Sequence, residues 1–166
     1  MSRRRAALVF LSVALLTGGC DHAAKQAARS ALGDGAAHSL AGDLVRFELT
    51  HGSGGFLSFG AQLAPALRET LFVVLVPLLI AALLASTLRV ALRSRAALAG
   101  LALATGGGLA NCLDRLANSG AVTDFVSLGF GPLRTGIFNL ADVALMAGAA
   151  LLIFAPFRAP AEHREP

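Results

Sequence analysis

Residues 96–115 read AALAGLALATGGGLANCLDR. Nothing in this stretch is charged until Asp114, and its length suits a helix crossing about 30 Å of hydrocarbon. A soluble protein could bury one such segment inside a larger core. The rest of this chain, however, is no less apolar. Of its 166 residues, 55% are hydrophobic and 14% charged, well short of the roughly 25% charged residues of an ordinary globular domain. So few charges cannot cover that much apolar surface, and a membrane is the natural solvent for the excess. The stretch also closes on Asn111, Asp114 and Arg115, polar residues at the point where a helix would leave the hydrocarbon.

Apolar runs at 6–16, 71–88 and 136–157 extend the pattern. The first is short unless its helix continues past Cys20 into DHAAKQAARSAL, whose alanines favour that continuation. The sequence predicts an all-α polytopic membrane protein, a single membrane-embedded domain over residues 1–166 with four transmembrane helices at about 6–28, 69–88, 96–114 and 136–157. Lys and Arg in short flanks mark the cytoplasmic side. Arg3, Arg4 and Arg5, then Arg89, Arg93 and Arg95, then Arg158 and Arg164 all fall on one side. Both termini are therefore expected on the cytoplasmic side, with about 30–68 and 115–135 facing out. This topology explains the net charge of +4. No aromatic residues interleave with the basic ones, so no nucleic-acid partner is expected. Cys20 and Cys112 lack metal-ligand spacing and are expected to be buried free thiols.

Between the first two spans, Val45, Phe47 and Leu49 alternate with Arg46, Glu48 and Thr50, the period of a half-buried strand. Gly52, Gly54 and Gly55 then supply a turn before Phe56 and Phe59. A small extracytoplasmic β element between helices 1 and 2, packed on the membrane surface, is the expectation.

The chain has ten acidic residues. Asp21, Asp114 and Asp142 lie in or at the edge of apolar spans, with Asp124 close by in the outer loop. A carboxylate in hydrocarbon costs roughly 3 kcal/mol on insertion scales, so it normally faces a partner or a wet cavity and marks function. An echo strengthens that reading: Asn111 precedes Asp114, and Asn139 precedes Asp142, each by three residues. The structural alternative is an ion pair or a residue snorkelling to the interface. It is strongest for Asp21, which has Lys25 one helical turn away, and Arg115 could serve Asp114 or Asp124 in the same way. Two carboxylates brought together from adjacent helices cannot both ionise; they share a proton and can activate water while protonating a leaving group. That is the chemistry of an aspartic protease. The zinc motif HExxH, the nucleophile elbow GxSxG and the phosphate loop GxxxxGK[ST] are all missing from the sequence. Glycines 106–108 are simplest to read as close helix packing. A small proton- or ion-coupled carrier is the rival class, since intramembrane carboxylates also mark transport paths; the aspartates, though, sit at the outer ends of spans with no charged relay inward. A structural membrane protein would leave the paired echo unexplained.

In this order and on these spans, DHAAK, GGFLSFG, NCLDRL, VTDFV and FNLAD resemble the lipoprotein signal peptidases, the type II signal peptidase family. The resemblance runs from span one to span four. It implies an aspartic endopeptidase that acts without metal or cofactor, with its active site near the outer face. The implied substrate is a prolipoprotein carrying diacylglycerol on the cysteine that becomes the new N-terminus, approached through membrane lipid; a monomer is expected. The family's catalytic pair would fall on Asp114 and Asp142. Asn111, Arg115, Phe138, Asn139 and Ala141 match flanking motif positions, Asp21 and Lys25 the first motif, and Asp124 the VDF segment, as supporting and substrate-binding residues. Where the family usually has Asn before its glycine-rich turn, this chain has His51 and Gly52. LLTGGCD, after Arg3 to Arg5 and an apolar run, has the layout of a lipoprotein cleavage site. Its Asp21 and Lys25 nonetheless match the enzyme's own motif, so Cys20 is expected to stay in an uncleaved first helix.

Overall fold

The computed structural model describes residues 1–52, 63–64, 66–67, 70–76, 78, 81–82, 85 and 94–154. Helix α1 (Arg3–Ala31) starts at the N-cap Ser2, whose side chain accepts from the Arg5 backbone N–H, and runs through Cys20 and the alanine-rich segment without a break. The expected continuation past Cys20 is present. Helix α2 (Arg95–Ala117) is capped the same way by Ser94, which accepts from the Ala97 N–H. Helix α3 spans Leu140–Phe154. The apolar segment expected at 69–88 lies mostly outside the described residues; within it, Thr70–Leu75 forms a π-helical segment. The glycine-rich turn after Gly52, with Phe56 and Phe59, also lies outside them, as do Arg89, Arg93, Arg158 and Arg164. Among the described residues two helices, α1 and α2, are long and apolar enough to cross a membrane, and α3 is shorter.

Helix α3 begins later than the span expected at 136–157. Residues 136–139 are extended rather than helical, because Asn139 caps the helix from outside. The β element is also larger than the sequence suggests. Strands β1 (His38–Leu40), β2 (Val45–Gly52), β3 (Val122–Phe130) and β4 (Leu133–Arg134) form one antiparallel sheet in that order. Its second half comes from the residues after α2, so the sheet is not confined to the segment that follows α1. The β2–β3 register slips between Phe47, opposite Val126, and Thr50, opposite Asp124. This bulge sits beside Asp124.

Burial is arranged inside out. Asp21, Lys25, Asn111, Arg115, Thr123, Asn139 and Asp142 are buried, while Leu8, Leu11, Leu15, Leu16, Leu113, Met146 and Ile153 are exposed. Water would punish that arrangement and hydrocarbon rewards it, so this is a membrane protein. Helix α2 packs between α1 and α3, and its glycines permit the approach. A Cβ on Gly106 would lie 2.6 Å from the Ala14 carbonyl oxygen of α1, and one on Gly107 would lie 2.5 Å from that of Ala141 in α3. Small residues let such backbones meet. The two cysteines are free, but Cys20 is exposed and Cys112 half-buried. The expected burial fails for Cys20 because the polar face of α1 turns inward at Asp21 and Lys25, leaving Cys20 on the outer side.

Candidate active site

One face of α1 carries Asp21, Lys25 and Arg29 at successive i,i+4 spacings, so all three side chains point the same way. Buried Lys25 donates to three acceptors: Asp21 Oδ2 at 2.7 Å, Asn111 Oδ1 at 2.9 Å and Asp114 Oδ2 at 3.2 Å. Its three protons are thereby used. The other oxygen of Asp21 accepts from the Ala141 N–H at 2.8 Å, in the first turn of α3, where a negative charge offsets unpaired backbone donors. Arg29 Nη2 donates to Asp114 Oδ1 at 3.1 Å and to Thr123 Oγ1 at 2.6 Å. Asp114 also accepts from the Thr123 N–H at 2.7 Å and from the Asn118 side chain. Both oxygens of Asp114 are therefore committed to cations and amides.

The second asparagine–aspartate pair has a different local cause. Asn139 is the N-cap of α3: its Oδ1 accepts from the Asp142 N–H at 3.0 Å, and the Asp142 carboxylate accepts from the Asn139 N–H at 3.2 Å. This reciprocal pairing is a capping box. With the acceptor occupied, the amide's Nδ2 donates to Asp124 Oδ1 at 2.7 Å and to Asn111 Oδ1 at 3.1 Å. Asn111 in turn donates to Asp142 Oδ1 at 2.9 Å. Asn139 thus holds Asp124 from β3 and Asp142 from α3 at once. Phe138 keeps the two elements in register: its N–H donates to the Val126 carbonyl at 2.8 Å, and its own carbonyl accepts from the Phe125 and Val126 N–H groups.

Asp124 is placed differently from Asp114: its Oδ1 is held by the Asn139 amide. Burial pushes its carboxyl up to about 7, and the neighbouring Asp142 charge adds to the effect. Its second oxygen lies against β2, where a Cβ on Gly52 would come within 2.5 Å of it. That accounts locally for glycine at position 52. Arg115 is buried beneath Phe72, its guanidinium 4.7 Å from the ring centroid, and Nη1 donates to the Asn111 carbonyl at 3.4 Å. Its charge favours the ionised form of Asp124, one of the two services the sequence offered for it.

The structure gathers every candidate residue named from the sequence, namely Asp21, Lys25, Asn111, Asp114, Arg115, Asp124, Phe138, Asn139, Ala141 and Asp142, into one polar cluster. It does not treat the aspartates alike. The sequence sets Asp114 with Asp142 as the reacting pair, yet Asp114 is neutralised by Lys25 and Arg29, and the carboxylate that shares Asn139 as a donor residue with Asp142 is Asp124. Sequence reasoning missed Arg29 and Thr123. The signal for Arg29 was its place one further turn along the Asp21–Lys25 face; Thr123 carried none, since the loop was not read as a strand.

Comparison with known proteins bears on what such a cluster does. The sequence profile of a family described as Signal peptidase (SPase) II matches residues 13–158. Proteins named lipoprotein signal peptidase from Yersinia pestis (strain Pestoides F) and Yersinia pseudotuberculosis serotype O:1b (strain IP 31758) are each 49% identical over 61 residues, 37% of this chain and 36% of theirs. The chain thus spans about a third of the length of these relatives. Two solved structures described as a bacterial membrane enzyme superpose with TM-scores of 0.73 at 20% and 21% identity. Each covers 87% of this chain, and 85% and 90% of the respective solved chain is matched. At that identity the likeness concerns the fold.

Proposed function

This chain belongs to the signal peptidase II family, and from that premise we infer that it is an aspartic endopeptidase cleaving the signal peptide of diacylglyceryl-modified prolipoproteins on the N-terminal side of the lipidated cysteine. The observation that carries the reading is Asn139, whose side-chain amide donates to Asp124 and whose backbone N–H donates to Asp142 in a buried site, while Lys25 and Arg29 neutralise Asp114. The reacting pair is therefore Asp124 and Asp142, with Asp114 as a support. Like charges this close share a proton, and a carboxyl titrating at about 7 keeps that proton near neutrality.

In this mechanism the pair holds a water. The ionised carboxylate takes a proton from it as the oxygen attacks the scissile carbonyl carbon, and the protonated partner donates to the carbonyl oxygen. Collapse of the tetrahedral adduct breaks the C–N bond, with the proton passing to the leaving amine, and the pair returns to its shared state. Arg115, Asn111 and Asn139 supply fixed charge and dipoles around the developing oxyanion. The step asks for no metal.

The same reading makes residues 1–166 one membrane-embedded domain with four spans, both termini cytoplasmic and the pair near the outer face. The substrate's lipid chains remain in the bilayer, and the chain acts as a monomer. The sidedness rests on Arg3, Arg4, Arg5 and Arg95 as cytoplasmic anchors. Purified protein assayed on a lipidated precursor in detergent tests the assignment. Asp124→Asn and Asp142→Asn should each abolish cleavage, whereas Asp114→Asn should keep turnover within about a hundredfold, a loss of roughly 2.7 kcal/mol in barrier. Abolition by Asp114→Asn together with wild-type rates in Asp124→Asn would return the pair to Asp114 and Asp142.

A further inference from the structure

Asp124 sits on a strand whose pairing is interrupted beside it. Opposite β3, the β2 ladder slips between Phe47 and Thr50, so two residues of β2, Glu48 and Leu49, face Phe125 alone. A bulge re-aims side chains and leaves the local ladder unpaired, and a one-residue slip would turn Asp124 to the opposite face. Beside the Thr50 pairing and the Phe138 bridge, something outside the sheet helps to set the depth and face of this strand. The residue before Asp124 shows what does.

Thr123 is completely buried and points away from Asp124, as neighbours on a strand must. Its hydroxyl accepts from Arg29 Nη2 at 2.6 Å, its N–H donates to Asp114 Oδ2 at 2.7 Å, and Arg29 also holds Asp114 at 3.1 Å. The three groups close a triangle joining α1, α2 and β3. We propose that Arg29, acting through the Thr123 hydroxyl, is a positioning residue that fixes the face and depth of Asp124 against Asn139 and Asp142. The proposal rests on the Asp124–Asp142 reading of the active site. Arg29 touches neither carboxylate of that pair, and its guanidinium is about a third exposed, so it is not required as core packing.

A displacement of an ångström in a reacting group can cost on the order of a hundredfold in rate. Arg29→Met and Thr123→Val should therefore each lower kcat by about tenfold or more with KM within about twofold, the mark of an interaction that serves the transition state. Thr123→Ser, which retains the hydroxyl, should keep the wild-type kcat. The Arg29→Met/Thr123→Val double variant should be no worse than the worse single one, because both remove the same contact.

The pH–rate profile separates this role from loss of folded protein, which scales the rate without moving either limb. Asp124 faces Asp142 from α3, Arg115 from α2 and Lys25 from α1. Loosened from burial and from Asp142, it should give up its proton at lower pH, so the alkaline limb of Thr123→Val and Arg29→Met moves toward acid. Wild-type kcat and an unmoved limb in Thr123→Val, or effects that multiply in the double variant, would overturn the proposal. Asp124→Asn run in parallel separates the two ideas. If it cleaves, the active-site reading fails and takes the proposal with it; if it is inert while Thr123→Val behaves as wild type, only the proposal fails.

Discussion

Replacing Lys25 by Met removes an ammonium that three buried acceptors share. Lys25 is 2% exposed, and its Nζ lies 2.7 Å from Asp21, 2.9 Å from Asn111 and 3.2 Å from Asp114. The losses are unequal. Asp114 keeps Arg29, the Thr123 N–H and Asn118. Asn111 keeps the Asn139 amide. Asp21, at 1% exposure, keeps only the Ala141 N–H among its described partners and becomes a buried charge without a counterion. Breaking a buried pair from one side costs about 3–5 kcal/mol. With two of the three acceptors still served, the lower end applies, about 3 kcal/mol. A chain of this size loses about 2–4 °C in Tm per kcal/mol, so the drop should be roughly 6–12 °C. Thermal unfolding of the purified protein in detergent, followed by helical circular dichroism, reads this directly. Adding Asp21→Asn to Lys25→Met removes the orphaned charge and should recover about half of the loss. A drop below about 2 °C, the size expected of a surface pair, would refute the reasoning, and so would a double variant no better than the single one.

Further outcomes follow from the same geometry. Asp124 titrates at about 7 in place of its ordinary 3.8, so between those values the folded protein holds a proton that the unfolded chain has released. Its contribution to stability should therefore fall as pH rises through that window, visible as a Tm that declines from about pH 4 to 7 relative to Asp124→Asn. Cleavage should decline as pH rises above about 7, where the shared proton is lost; a rate still climbing at pH 9 would count against the pair. Gly107→Ala drives a methyl group toward the Ala141 carbonyl, 2.5 Å away, so it should lower stability by about 1–3 kcal/mol in the same unfolding assay and reduce cleavage with it. In a background lacking Cys20 and Cys112, a cysteine at Pro132 in the exposed β3–β4 turn should react with an impermeant thiol reagent applied from outside, and one at Ser94 should not; the opposite sidedness would invert the topology.

Much of this arrangement was legible in the sequence. The helix over 96–114 follows from an unbroken apolar run, that over 6–28 from a shorter run continued by helix-favouring alanines, and the Asp21–Lys25 pair from helical spacing. Position 140 as the start of α3 was hidden because NLAD looks the same whether Asn139 lies within a helix or caps one; the capping box decided it. Strand β3 was hidden for another reason. In VTDFVSLGF, Thr123 and Ser127 are buried while Leu128 and Phe130 are exposed, the reverse of the pattern that marks a strand in water. The polar side of this sheet faces the buried cluster. Telling the four aspartates apart also required distances: the sequence supplies motifs for all of them, whereas the cations around Asp114 appear only in the folded chain.

Asn139 starts a helix and holds two carboxylates at once, Asp124 through its side-chain amide and Asp142 through its backbone N–H. In many proteins these tasks fall to different residues, and each can drift under mutation while the other persists. Here a lineage cannot trade one for the other, because a change that relaxes the cap frays the first turn of α3 and carries Asp142 away with it. On the proposed mechanism, selection for a folded helix and selection for catalysis would therefore act on the same residue. An engineer seeking a sturdier version has little room at this position, and more at Leu15, Leu16 or Met146 on the outward faces, where nothing chemical is at stake.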